Sequence, residues 1–311
     1  MEDSKVQHIA SRDLIHHKDF WYEDGNVIVA AGNVAFRLHV SVLSRESPVF
    51  RNIFLAEDSV HEIMENYRLV RVSDTAQDME YLVSAIYHAR RFREPNLRLP
   101  TDLFASLIRM GHKYEILDLR ALGLQHLKAL YPMNFAEWQR ITDHLGVSGI
   151  VMMFVNLALL TGTSSILPPL LYECCQLSDD ILLTGYTRPD GIVEQLPQHV
   201  LQRCLAGRGN LASANNNARL WVFETNGCSP LCERKNVCSA GIQGLPQFAM
   251  KGGWFTTDMA FAPMMEDPSV NDDMVCKKCR SMLARREVDS MQTMWRRLPD
   301  ILGVSVADWQ P

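Results

Sequence analysis

The chain has 311 residues, 47% hydrophobic and 22% charged, with a net charge of −5 and a pI near 6.1. That size and balance allow a sizeable core spread over two domains or slightly more, and they exclude the dominant positive field that a general nucleic-acid or anionic-membrane binder needs. The opening, MEDSKVQHIASRDLIHHKDFW, has neither the basic start nor the continuous apolar run of a signal peptide. The 8 cysteines are therefore expected to stay reduced, in cytoplasm or nucleus, and to serve packing, metal binding or catalysis before disulfides.

In chain order, HHKD at 16–19 offers two histidines, but adjacent residues point apart in either regular structure, so a solvated leading segment is expected over a metal site. Residues 26–39, NVIVAAGNVAFRLH, alternate apolar and polar positions on both sides of Ala31-Gly32-Asn33. That pattern predicts a hairpin with one buried face, shared by Val34, Phe36 and Leu38. His39 closes the second strand. Beyond it Val42, Leu43, Val49, Phe50 and Ile53 recur at helical spacing, with Pro48 in the first turn of a second short helix. YRLVRV at 67–72 predicts a third strand, and Ser73 or Asp74 an N-cap for a helix carrying Met79, Leu82, Val83, Ile86 and Tyr87. Pro95 and Pro100 bracket a loop. A helix marked by Leu103, Phe104, Leu107 and Ile108 follows, then one over about 116–130 with Leu119, Leu122, Leu127 and Leu130 on overlapping rows. The reading is α+β: a small sheet, its strands grouped early, covered by helices.

The blocks FWYEDGNVIVAAGNVAFRLHVSVLSRESPVFRNIF, YRLVRVSD, EYLVSAIYHARRF and LIRMGHKYEILDLRALGLQHL resemble, in order and separation, those of a BTB/POZ domain spanning 18–130. The wording is closest to fungal BTB/POZ proteins, which usually continue into a helical region and often finish with a Trp–Leu–Pro segment like MWRRLPDILGVSVADW. The resemblance implies that His39 is the family's corner histidine, which packs and caps locally. A catalytic histidine would need a nucleophile or an orienting carboxylate, and this stretch shows neither. It also implies a protein-interaction module, a homodimer or a partner-docking domain, with Leu14 to Tyr22 and the helices after His39 as the surface. Two family roles follow: adaptor for a cullin-type ubiquitin-ligase scaffold, or self-association in transcription or scaffolding. Many animal members carry an aspartate and a basic residue where this chain has Asn26 and Val40, so the charged pocket they form is not carried over. No cullin-contact motif stands out in LAEDSVHEIMENY.

Composition shifts after 130, and the chain divides into a leading segment (1–17), the BTB/POZ region (18–130), a helical region (131–223) and a cysteine-bearing region (224–311). Asn134 and Glu137 have capping-box spacing. Helices are expected over 147–160, 165–177 with Pro168 and Pro169 in the first turn, and 179–184. GIVMMFVNLALL at 149–160 contains Asn156 and is shorter than the roughly 20 residues that cross a bilayer, so it reads as a buried helix. Residues 196–223 predict one long or broken helix, with Gly207 and Gly209 as the expected point of interruption. This half has no strand alternation like that of 26–39, and no repeat that would build a propeller.

Cys228, Cys232, Cys238, Cys276 and Cys279 gather in the last third. CKKC heads an amphipathic helix through Leu283, Val288, Met291, Met294, Trp295 and Leu298, so two thiolates there can face one tetrahedral ion while CSPLC supplies two more. The preferred zinc set is Cys228, Cys232, Cys276 and Cys279, with Cys238 competing. Burial as small apolar residues is the alternative, and Cys174, Cys175 and Cys204 belong to it. A redox role for CKKC ranks lower without a surrounding βαβ pattern. The basic run Lys277, Lys278, Arg280, Arg285 and Arg286 is offset by Glu287, Asp289, Asp272 and Asp273 and reads as a solvated face. No nucleophile elbow, phosphate loop, dinucleotide fingerprint or His-Glu-x-x-His occurs, so no enzyme is expected. A protein-interaction module is the leading reading, and a zinc-dependent nucleic-acid binder acting through the cysteine cluster is the alternative.

Overall fold

The computed structural model describes residues 13–56, 62–93, 98–142, 148–224, 227–255, 259–307 and 309. Pro95 and the middle of LAEDSVHEIMENY lie outside them. The chain forms two compact units, Met1–Ala129 and Leu130–Pro311, so the helical and cysteine-bearing regions fall in one unit.

The first unit holds strands β1 (Ile15–Trp21), β2 (Val27–Ala31) and β3 (Val34–Leu38), helices α1 (Val40–Glu46) and α2 (Pro48–Leu55), strands β4 (Glu62–Met64) and β5 (Tyr67–Val72), and helices α3 (Ala76–Tyr87), α4 (Thr101–Lys113) and α5 (Leu117–Leu130). The sheet order is β1-β3-β2-β5-β4, with β1 parallel to β3 and β2 parallel to β5. The predicted hairpin forms with Ala31 opposite Val34, and Gly32 at φ 57° makes the turn. Glu65 and Asn66, both at positive φ, close β4 onto β5. β4 itself carries no readable alternation.

One face of the sheet behaves as the alternation requires. Val27, Val29, Ala31, Phe36 and Leu38 pack against Leu43, Phe50, Met79, Leu82, Met110 and Tyr114 from the helices. The other face is covered too, which corrects the expectation of a single buried face. Ile28, Ala30 and Ala35 lie with Leu14 and Leu69 beneath Trp21, Met64 and Tyr67. β2 is the middle strand of five, so strands flank both its edges, and small alanines on the second face let side chains of those strands close over it.

The corner after β3 is built as predicted around Pro48. Ser47, fully buried, accepts the Phe50 N–H at 3.1 Å as the α2 N-cap and donates to the Tyr114 carbonyl at 2.7 Å. The α3 cap is Thr75, whose hydroxyl accepts the Asp78 N–H at 3.1 Å, rather than Ser73 or Asp74. Those two take the Lys113 ammonium, and Asp74 also the Tyr114 hydroxyl at 2.5 Å, so their side chains face the end of α4. HHKD is largely solvated as expected, with His16, Lys18 and Asp19 exposed, but it lies within β1 and not in a leading segment. His16 stacks on Trp21 with ring centroids 3.6 Å apart, while His17 points the other way onto Phe36 at 4.8 Å.

The second unit contains α6 (Phe135–Thr142), α7 (Ile150–Thr161), α8 (Leu167–Cys175), α9 (Asp179–Thr184), the two-residue strands β6 (Tyr186–Thr187) and β7 (Val193–Glu194), α10 (Gln198–Glu224), α11 (Lys235–Lys251), α12 (Lys277–Arg296) and α13 (Leu298–Leu302). Asn134 caps α6 as expected, accepting the Glu137 N–H at 3.1 Å. Trp295 of the C-terminal segment is fully buried among Phe135, Trp138 and Phe261, and its indole N–H donates to the Met133 carbonyl at 2.6 Å. α10 runs unbroken through both glycines. Gly207 serves packing instead, since a Cβ there would sit 3.0 Å from Leu302 and 3.1 Å from Cys175. Contacts with α8 and α13 outweigh the roughly 1 kcal/mol that glycine costs inside a helix. α7 is buried as predicted, and no helix among the described residues is long and apolar enough to cross a membrane.

Glu173 lies under this core, accepting the Tyr131 hydroxyl at 2.9 Å. Burial pushes its carboxyl up from 4.5 to about 7, although the Tyr131 hydrogen bond pulls it down in part. A folded value above the unfolded one means that its stabilisation is complete below pH 4.5 and is lost as pH rises through 7, by about 3 kcal/mol. Glu173→Gln is expected to flatten that slope and raise the melting temperature at pH 8. Thermal unfolding of both proteins at pH 5 and 8 checks this, and parallel slopes would exclude the carboxyl as the cause.

Candidate functional site

Two features of the structure carry chemistry. The first is a thiol cluster in the second unit. Cys276 is the N-cap of α12 and Cys279 lies in its first turn, Cys232 closes a turn on Ser229, and Cys238 sits in the first turn of α11. Their four sulfurs all lie within 4.8 Å of one another, and Cys232 and Cys276 are 3.9 Å apart. Four sulfurs at about 2.3 Å from one tetrahedral zinc would be separated by about 3.8 Å. Cys232, Cys238 and Cys279 are buried, Cys276 is half-buried, and Ile242, Leu245, Val270, Val275 and Leu283 pack around them. The Cys279 backbone N–H draws the Cys276 thiol down to about 7, whereas burial pushes Cys279 up. The group can hold a metal ion, and as a dry set of four soft donors it suits zinc.

Three of the four sequence-predicted ligands, Cys232, Cys276 and Cys279, belong to this group. Cys228 does not. Cys238, the competing member, stands in the group instead. The signal that would have found Cys238 is the stripe Cys238, Ile242, Leu245 and Ala249, the buried face of α11 at helical spacing. Cys174, Cys175 and Cys204 are buried in packing positions as expected.

The second feature is the corner of the first unit. His39 precedes α1 but makes no side-chain cap; Asn26 does so, its amide oxygen accepting the Val40 N–H at 2.9 Å. The two positions that depart from the animal charged pocket are thus joined by a neutral hydrogen bond. The His39 ring lies 3.1 Å from both the Tyr87 hydroxyl and the Asp24 carboxylate, which local spacing had hidden. Burial raises the Tyr87 hydroxyl to about 12, so it stays protonated at neutral pH and acts as a hydrogen-bonding group beside the histidine. The corner is packing. Nearby, a groove of about 540 Å³ opens between Arg45, Glu46, Ile86, Phe92, Leu117 and Leu122. Leu55, Ile63 and Leu117 are 69%, 65% and 62% exposed.

Residues 22–130 match the family model of the BTB/POZ domain. This segment is a BTB/POZ domain. Among curated proteins none matches the chain. The BTB/POZ match covers β2 through α5, the sheet and helices described above, and leaves β1 just before it. Leu14 and Phe20 on either end of that strand are buried in the domain's own core. Leu14 and Phe20 of the N-terminal surface expected to face a partner therefore face inward, whereas Ile15, 59% exposed, and the exposed His16, Lys18 and Asp19 face outward. BTB/POZ domains are protein-interaction modules, which supports such a module at 22–130.

Proposed function

We propose that the chain works by self-association through its BTB/POZ domain and presents a zinc-stabilised helical region as the second half of a scaffold. The observation that carries the first part is the BTB/POZ fold of 22–130, with β1 just before it, bearing large apolar side chains in water: Ile15 on β1, and Leu55, Ile63 and Leu117 within the match. Burying such side chains against a second copy contributes roughly 25 cal/mol per Å² removed from water, and a closed twofold dimer covers the same patch on both chains. The full chain, 35.4 kDa, is expected to scatter light as a dimer. A monomer at high concentration that also retains no protein from the native cell would overturn the interaction reading. Adaptor function on a cullin-type scaffold is the variant in which that retained protein is a ligase subunit.

The zinc-dependent nucleic-acid reading has weaker support. Arg280 is paired with Asp272 at 3.4 Å, which leaves Lys277 and Lys278 as exposed cations in the first turn of α12. Purified chain carrying zinc without salt-sensitive retention on DNA or RNA would separate a structural ion from a nucleic-acid site.

A further inference from the structure

We infer that the ion in the second unit is held by Cys232, Cys238, Cys276 and Cys279 as a closed tetrathiolate, with Cys228 left outside as a free thiol. This rests on the zinc reading above and names its ligands.

Three independent observations select Cys238 over Cys228. The first is convergence, since only the former set has every sulfur within 4.8 Å of every other among the described residues. The second is the orientation of backbone donors. The Cys276 N–H points at the Cys238 sulfur at 3.2 Å, and the Ser229 N–H at the Cys279 sulfur at 3.4 Å. Such N–H donors compensate the negative charge of metal-bound thiolates and fix their direction, as outer-shell partners do in metal sites generally. The Cys228 sulfur, half-buried beside Cys232 and Cys279, instead has the Lys235 carbonyl at 3.4 Å and is met by no backbone N–H among the contacts of the described residues.

The third observation is how α11 reaches the site. Gly241 lies one turn beyond Cys238, where an added Cβ would fall 1.9 Å from the Met274 carbonyl oxygen. Only glycine allows α11 to lie against the backbone just before Cys276, and that approach brings Cys238 to the head of α12. A loop-borne Cys228 needs no such contact. Four protein sulfurs fill a tetrahedral ion's coordination and leave no position for water or substrate, so the role is structural.

The test uses the full chain. Metal content is measured by elemental analysis on the purified protein and on Cys228→Ser and Cys238→Ser, and the cobalt(II)-substituted proteins are compared by their thiolate-to-cobalt absorption, which grows with each thiolate bound. Wild type and Cys228→Ser are expected to hold one ion with the same four-thiolate spectrum, and Cys238→Ser to lose about a quarter of that absorption or the ion itself. In the native zinc-loaded protein, iodoacetamide is expected to label Cys228 and spare the other four, which label after chelation. Loss of absorption in Cys228→Ser with none in Cys238→Ser overturns the ligand assignment while leaving zinc in place. Wild-type protein that binds neither zinc nor cobalt overturns the zinc reading itself.

Discussion

Cys279→Ser is expected to unfold the part of the second unit built on α11 and α12, with loss of the ion and of protection from hydrogen exchange over 228–283. Cys279 is fully buried among Val222, Ile242, Leu245, Val275 and Leu283, so its sulfur belongs both to the thiol cluster and to the core. A structural zinc contributes on the order of 10 kcal/mol to folding, whereas whole domains are stable by about 5–15 kcal/mol. Losing that contribution therefore exceeds what the local apolar core can supply. Chelation of the wild type should reproduce the effect, and acid should too, because protons compete with the ion for thiolates. The first unit has its own core on both faces of its sheet, and its slow-exchanging amides are expected to persist. Hydrogen exchange with and without chelator is the measurement; unchanged protection in 228–283 would show that packing alone holds the region.

Glu287→Ala is expected to cost about 3–5 kcal/mol, the range for removing one partner of a buried ion pair. The Arg219 and Glu287 side chains are 4% and 6% exposed and meet at 2.8 Å. The arginine also donates to Asn215 at 2.8 Å and to the Ala262 carbonyl at 2.7 Å, while its guanidinium lies over the Trp254 ring. The glutamate accepts the Met264 and Met265 N–H groups at 2.8 and 3.0 Å. Truncation would strand a buried cation and orphan two backbone donors. In a unit of this size the melting temperature should fall by about 10 °C. Glu287→Gln, which keeps an acceptor, should fall less. A drop under about 1 kcal/mol in Glu287→Ala would show that water replaces the carboxylate.

This pair also marks a limit of sequence reading. Glu287 was grouped with a solvated basic face because it follows Arg285 and Arg286, yet it points inward at a partner on another helix. The same limit separates Cys228 from Cys238. Short spacing favours Cys228, but the choice of sulfur depends on how closely α11 can approach the backbone near Met274, a distance set by Gly241.

The sequence by itself determined the hairpin at 26–39, the proline-led α2, the helix behind CKKC, and the BTB/POZ identity of the first unit. The first three follow from periodicity or turn chemistry within a few residues, where backbone geometry ties spacing to direction, and the last from the resemblance of an ordered set of blocks along the chain. Only the tertiary structure decided that β2 is covered on both faces, that α10 passes its glycines unbroken, and which four sulfurs meet. Those outcomes depend on what arrives from distant segments, and local spacing carries no record of an arriving neighbour.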